Sequence, residues 1–505
     1  MAARPWHVAR AECAAVKILL PILAAAALLL APPATPAAEA RPGLEPCRLA
    51  GVEHDVLCGR VRRPLDPAEP NGVQIDVHFA VLPALARNRK PDPLLFFAGG
   101  PGQSAIELAG TVSRLFARLS NRRDIVLVDQ RGTGRSAPLR CADAPPTEPL
   151  ARFAEAAAQV ARLHDCRRAL QQLPHGRLQH YATRVAMQDA DAVRRALGVA
   201  QVNVVGGSYG TRAALDYQRQ FPQAVRRLVL DGVAPPDMVL PAAFSPDSQA
   251  ALDAVFAACA ADAGCSARHG DLRALLDRVL AGLPREVTLQ HPLTGAPERI
   301  TLTRDLLLAW LRAPLYAPPL ASALPLALAE ADAGRFDAIA GLASALTGSR
   351  SLRLAEGMHF SVVCAEDMPR LGTASEPPGA HFGDSFVALY RRVCDGWPVG
   401  AVPPAFYTLP VASGAALVLS GGADPATPPR HGERVARALG PKARHVVVEH
   451  AGHGVMALPC VRDALHRFID AETDAAALQV DLACAAAVPR PRVLAPLVAA
   501  SGVRP

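Results

Sequence analysis

The stretch that most limits what this chain can become is Gln201–Tyr217, QVNVVGGSYGTRAALDY. Val202, Val204 and Val205 form a β-branched run suited to a buried strand. Gly206-Gly207-Ser208-Tyr209-Gly210 follows without a spacer, and Ala213, Ala214 and Leu215 continue as a helix that stops near Pro222. A strand that turns directly into a helix brings backbone so close that flanking Cβ atoms would clash, which accounts for the glycines. Ser208 at the centre is then held on a strained backbone with its hydroxyl exposed above the sheet. The helix start behind it carries N–H groups without intrahelical acceptors, facing any anion that forms there. Taken alone, the segment reads equally well as an ordinary glycine-rich turn, so its partners elsewhere in the chain decide.

Those partners sit in two later loops, each just after an expected strand. Ala415–Leu419 leads into Ser420-Gly421-Gly422-Ala423-Asp424-Pro425, and His445–Glu449 into His450-Ala451-Gly452-His453-Gly454. Loops that follow parallel strands gather at one sheet edge, so Ser208, Asp424 and His453 are expected to converge. A serine hydroxyl is a poor nucleophile at neutral pH. His453 would take its proton, and Asp424 would hold the imidazole tautomer and stabilise its positive charge. Asp231, after the strand Leu228–Leu230, is the rival acid, and His450 the rival base. The strand–Gly–Asp–Pro turn favours Asp424, and the glycines flanking His453 allow it a close approach. Strand, Gly-x-Ser-x-Gly, helix, followed in chain order by Asp and His, is the nucleophile elbow and order of an α/β-hydrolase. In that arrangement the loop after an earlier strand supplies one oxyanion N–H and the residue after the serine supplies the other. The strand Leu94–Phe97 runs into Gly99-Gly100-Pro101-Gly102, so Gly100 and Tyr209 are the expected donors, with Gly99 the competitor for the first. No Gly-Lys-Ser/Thr follows those glycines, which excludes a phosphate-binding P-loop.

The remaining pattern predicts an α/β fold with a mostly parallel central sheet and a large helical cap inserted before the strand that bears the acid. Residues 41–232 and 411–487 form the hydrolase core, with strands at Val73–Leu82 and Asp124–Asp129 and helices over 149–173 and through Met187–Leu197. The insertion at 233–410 is dominated by expected helices at 246–263, 271–282, 303–313 and 318–333, with a hairpin from Glu286 to Thr303 turning at Thr294-Gly295. Residues 488–505 form an irregular tail rich in Ala, Pro and Val. In Gln130-Arg131-Gly132-Thr133-Gly134-Arg135-Ser136 the arginines read as structural, pairing locally with Asp129.

Residues 1–40 read as an export signal. Arg4, Arg10 and Lys17 precede the apolar run Ile18–Ala31, which is too short for a comfortable membrane span, and Ala38-Glu39-Ala40 offers a cleavage site. The mature chain would therefore be periplasmic or extracellular, with no stable membrane span. Export leaves ten of the eleven cysteines, all but Cys13, and an even number in an oxidising compartment reads as disulfides. Roughly 900 pairings are possible by counting. Short loops lose least entropy on closure, which favours Cys47–Cys58, Cys141–Cys166, Cys259–Cys265, Cys364–Cys394 and Cys460–Cys484. No Cys-x-x-Cys occurs, and no metal site is expected. A net charge of +7 without a basic run or basic–aromatic stripe gives no nucleic-acid site.

Gly99-Gly100-Pro101-Gly102, Asp129 through Ser136 and Gly206 through Gly210 together resemble the proline iminopeptidase and tripeptidyl aminopeptidase family. Ser420 through Asp424-Pro425 with Thr427-Pro428, and Gly452-His453-Gly454, resemble the C-terminal region of its secreted tripeptidyl aminopeptidase-like branch. Ala98 stands where proline iminopeptidases carry His, and Tyr209 where they commonly carry Trp, so proline specificity is not implied. The resemblance implies a cofactor-free serine aminopeptidase acting on free peptide N-termini, its partner being the peptide substrate. Glu366 and Asp367 in the insertion are the candidates for binding the substrate ammonium. An esterase or lactone hydrolase with the same triad is the alternative, favoured by a cap without ammonium-binding acids. A non-catalytic binding protein on this fold is disfavoured by the presence of all three triad residues.

Overall fold

The strands that carry the candidate residues lie side by side in one sheet. The computed structural model describes residues 43–494 apart from 143, 144, 146, 348–352 and 375; the expected export signal and the end of the tail lie outside the described residues. In chain order the strands are β1 (Glu45–Cys47), β2 (Val56–Pro64), β3 (Gln74–Leu82), β4 (Leu94–Phe97), β5 (Ile125–Val128), β6 (Val202–Gly207), β7 (Val225–Asp231), β8 (Arg285–Gln290), β9 (Pro297–Leu302), β10 (Ala416–Gly421) and β11 (Ala443–Val448). Nine of them form the sheet β1-β2-β3-β5-β4-β6-β7-β10-β11. The first three add antiparallel, and everything from β5 to β11 is parallel. All residues of β4 and β5 are buried, as continuous apolar runs must be when a parallel sheet is covered on both faces. The helices Ala109–Leu115 and Pro459–Asp470 share one core with the sheet, through Val112, Phe116, Leu465 and Phe468. The helix Tyr209–Gln220 packs on β4, β6 and β7.

The insertion between β7 and β10 has a core of its own, including Leu252, Phe256, Leu276, Leu307, Leu311 and Leu328. The expected hairpin is there as β8 and β9, with Gly295 at φ +69° in its turn. The helix expected over 318–333 is broken into Pro318–Ala321 and Leu324–Asp332, with Pro325 in the first turn of the second piece, where a missing N–H is harmless. The segment expected as one core helix over 149–173 is instead Ala151–Ala154 and Ala156–Gln171. It leans on the insertion: the His164 ring contacts Arg392 O at 3.0 Å, and Arg167 donates to Asp395 O at 2.6 Å. The cap thus recruits a piece of chain from before the elbow. β1 has no counterpart in the sequence pattern. It is three residues long, and the Cys47–Cys58 disulfide ties it to β2.

Five disulfides join the expected neighbours, with Cα separations from 5.2 to 6.2 Å. Each is expected to contribute about 2–4 kcal/mol by restricting the unfolded chain. Cys364–Cys394 ties the helix Glu356–Glu366 to the helix Ser385–Cys394, so it acts inside the cap near the site.

Candidate active site

Ser208 caps the helix Tyr209–Gln220 with φ +55° and ψ −126°, a conformation costly for any residue with a Cβ. Its surroundings leave it little choice. A Cβ on Gly206 would lie 2.3 Å from Gly210 O, and one on Gly210 would lie 2.1 Å from Phe97 O. Only glycine on both sides lets β6, the turn and β4 come this close. The Ser208 N–H donates to Asp231 O at 2.9 Å, which locks the elbow to the end of β7.

Asp424 and His453 meet as expected. His453 Nδ1–H donates to Asp424 Oδ2 at 2.8 Å. The same oxygen accepts from Thr427 Oγ1 at 2.7 Å, and Oδ1 accepts the N–H groups of Ala426 and Thr427 at 2.8 and 2.9 Å. Thr427 Oγ1 also lies 3.1 Å from His453 Nδ1. The backbone of His453 is fixed by donation to Tyr316 O at 3.0 Å, and the Tyr316 ring meets the imidazole edge-on at 5.2 Å. On the elbow side, a Cβ on Gly232 would be 3.2 Å from His453 Cε1, so a larger residue there would push the imidazole away. Thr427 went unassigned in the sequence. Beyond its place in the Thr427-Pro428 resemblance, its signal is a hydroxyl three residues after the candidate acid, the spacing of a side chain folded back over a turn.

The rivals take other places. Asp231 accepts from Val455 N–H at 3.0 Å and Met456 N–H at 2.9 Å, so it shapes the loop that carries His453 without pairing with the ring. His450 has a buried Nδ1 without a hydrogen-bond partner and does not reach Asp424.

Burial of Asp424 opposes its ionisation, but His453 and the hydrogen bonds overcome this and hold the carboxyl below its usual range. Burial likewise opposes a charged His453. The adjacent Asp424 carboxylate and its hydrogen bond outweigh that, placing the imidazole above its ordinary 6.5. Burial pushes Asp231 up to about 6, against donation from Val455 and Met456. A general base works only when unprotonated, so kcat/KM is expected to fall as pH drops through a midpoint above 6.5. A midpoint below 6.5 would show that the Asp424 carboxylate does not outweigh burial at His453.

The two expected oxyanion donors, Gly100 and Tyr209, lie on either side of Ser208. A Cβ on Gly99 would lie 3.2 Å from Ser208 Cβ, so the Gly99–Gly100 peptide runs beside the candidate nucleophile. Gly99 O accepts from Gln103 N–H at 3.3 Å, and in a planar trans peptide the Gly100 N–H points the opposite way. Tyr209 opens its helix, where N–H groups have no intrahelical acceptor.

Glu366 and Asp367 do not serve as expected. Both are fully buried, and their charge is answered from inside the core by Arg212 on the elbow helix. Arg212 gives Asp367 two hydrogen bonds, at 3.0 and 3.1 Å, and reaches Glu366 at 3.3 Å. Glu366 accepts Thr183 N–H at 2.7 Å and Thr183 Oγ1–H at 3.0 Å, and Thr183 Oγ1 is 2.6 Å from Tyr209 OH. Burial pushes Glu366 up to about 7 in spite of Arg212. The acidic pair is therefore a buried brace between cap and elbow helix. Asp367→Ala should cost about 3–5 kcal/mol, because Arg212 loses its main counter-ion. Thermal unfolding checks this; a variant that melts like wild type would show that Arg212 does not need Asp367. Arg131 is structural as expected, but its partner is Asp189, at 2.7 and 3.0 Å, while Asp129 is held by Ser104 and backbone N–H groups.

Among the described residues no group of His, Cys, Asp and Glu side chains is placed to hold a metal ion. Comparison with known proteins agrees with the geometry. Residues 92–278 match the family described as alpha/beta hydrolase fold, and residues 380–478 match TAP-like protein. The chain has the α/β-hydrolase fold, with a C-terminal region similar to TAP-like protein. The hydrolase is 32% identical to the tripeptidyl aminopeptidase of Streptomyces lividans over 192 residues, 36% of each chain. It is 33% identical to the serine protease Hip1 of Mycobacterium tuberculosis strain H37Rv over 207 residues, 38% of this chain and 39% of that one. These matches span well under half the length of either relative. A longer match, 29% over 425 residues, is to the carboxylesterase B of Mycobacterium tuberculosis strain CDC 1551 and covers 76% of this chain and 78% of that one.

Proposed function

We propose that this hydrolase is an exported serine aminopeptidase that releases residues or short peptides, tripeptides among them, from free peptide N-termini. The observation that carries the serine-hydrolase chemistry is the 2.8 Å contact between Asp424 and His453 at the same sheet edge as the strained Ser208, and the choice of a peptide substrate rests on the relatives' names. His453 Nε2 accepts the Ser208 proton as Oγ attacks the scissile carbonyl. The Gly100 and Tyr209 N–H groups stabilise the oxyanion of the tetrahedral intermediate. His453 then protonates the leaving amine, and a water activated in the same way releases the acyl group. No cofactor enters these steps. The names of the tripeptidyl aminopeptidase and Hip1 relatives support a peptide substrate. Five disulfides support an oxidising compartment.

The second reading, an esterase or lactone hydrolase, draws support from the burial of Glu366 and Asp367 against Arg212, which leaves neither carboxylate exposed to meet an ammonium group. A panel of chromogenic mono-, di- and tripeptide amides, each free and N-acetylated, beside short-chain esters, separates the two. An exopeptidase that recognises the ammonium loses a charge-assisted hydrogen bond on acetylation, worth about 1.5–3 kcal/mol or roughly 10- to 100-fold in kcat/KM. Equal turnover of free and acetylated peptides, with faster turnover of esters, would put the esterase first.

A further inference from the structure

The loop Gly99-Gly100-Pro101-Gly102 is soft by composition. Gly100 and Gly102 sit at φ +107° and +110°, where residues with a Cβ rarely go, and a glycine backbone has many other conformations to leave for. The carbonyls of its last two residues are held from the cap. Gly102 O accepts from Ala355 N–H at 2.9 Å, and Pro101 O accepts from the His359 ring, whose Nδ1 lies 3.1 Å away. Ala355 caps the helix Glu356–Glu366 and His359 lies in its first turns, far along the chain and within the insertion.

The chemistry of the partners fixes the His359 tautomer. A carbonyl oxygen only accepts, so Nδ1 carries the proton. Nε2 is then an acceptor, and Tyr390 OH, 2.7 Å away, is its donor. His359 is buried among Phe360 and Tyr390, with ring centroids at 5.1 and 5.8 Å. Burial draws the imidazole below its ordinary 6.5, which keeps it neutral at neutral pH. None of the steps at Ser208 uses this histidine.

We propose that His359 is a positioning residue: by donating Nδ1–H to Pro101 O, in the tautomer set by Tyr390, it holds the Gly100 N–H in the oxyanion hole. The inference rests on Ser208 being the nucleophile. Releasing Pro101 O frees the Pro101–Gly102 peptide and, through the pivot at Gly100, lets the Gly99–Gly100 unit turn away from Ser208. The ground-state substrate loses little by this, whereas the oxyanion of the transition state loses a donor.

Two substitutions split the ring's functions. His359→Asn places an amide N–H near the position of Nδ1 and keeps the bond to Pro101 O. His359→Gln places its amide near Nε2 and loses that bond. Removing an oxyanion donor outright costs about 10²–10³-fold in kcat. His359→Gln is therefore expected to lower kcat by about ten-fold or more with KM within about two-fold, and to weaken a boronic acid transition-state analogue by the same factor as kcat/KM. His359→Asn should recover most of the loss. Equal defects in the two variants, or a change in KM alone with the boronate unaffected, would overturn the proposal. If neither variant folds, Tyr390→Phe decides. Without its donor to Nε2, the imidazole can carry its proton on the wrong nitrogen, so kcat and boronate affinity should fall together; no change in either would overturn it. Labelling of the wild-type enzyme by a serine-directed phosphonate is run alongside. Failure to label Ser208 indicts the nucleophile, whereas normal labelling with unaltered His359 variants indicts only the positioning role.

Discussion

Replacing Ser208 by alanine is expected to lower kcat by about 10⁴-fold or more and leave the melting temperature unchanged. The structure separates these effects. The contacts that lock the elbow are made by backbone: Ser208 N–H to Asp231 O, and Thr211 Oγ1–H to Ser208 O at 2.7 Å. The glycines on either side, not the hydroxyl, allow β6 to meet its helix. Alanine keeps the Cβ and deletes only the nucleophile. Residual turnover would come from the oxyanion donors and substrate binding. Steady-state kinetics together with thermal unfolding check both halves; near-normal turnover would remove Ser208 from the chemistry.

Asp424→Asn is expected to lower kcat by a comparable factor, about 10⁴-fold, because an amide cannot hold the same tautomer of His453 or balance its positive charge. Asp424 is well prepared for the role. It is 2% exposed and accepts from Ala426, Thr427 and His453, so its charge is satisfied before any substrate arrives. Asp231→Asn should be far milder on kcat, because Asp231 holds the Val455 and Met456 N–H groups and asparagine retains one acceptor for them. Its cost should appear chiefly in thermal stability. The reverse ranking in kcat would move the acid to the end of β7 and leave Ser208 and His453 as they are.

The parts of this site that could be read in the sequence are those in which local backbone geometry demands a residue type. Gly206 and Gly210 are required by close approach to neighbouring backbone, and such a requirement leaves a mark in any sequence that meets it. The chain order of Ser208, Asp424 and His453 carried the rest, because each residue follows a strand. The disulfides are legible because each joins cysteines adjacent in the chain order after Cys13. Glu366 and Asp367 were misread for a physical reason. Their partner Arg212 lies more than 150 residues earlier, and no periodicity or spacing announces an ion pair between a cap helix and the elbow helix. Arg212 sits one turn into the elbow helix, which the structure buries on nearly every side, and a buried arginine must find acids. His359 escaped for the same reason: a lone histidine in an apolar helix says nothing of a loop on a distant strand.

The central claim is that Ser208 is the nucleophile activated by His453 and Asp424. The most direct measurement is reaction of the folded enzyme with a serine-directed phosphonate, followed by intact mass and peptide mapping. One adduct per chain is expected, on Ser208, formed with loss of activity and abolished in Ser208→Ala. An adduct on another residue, or full activity in a chain labelled at Ser208, would contradict it.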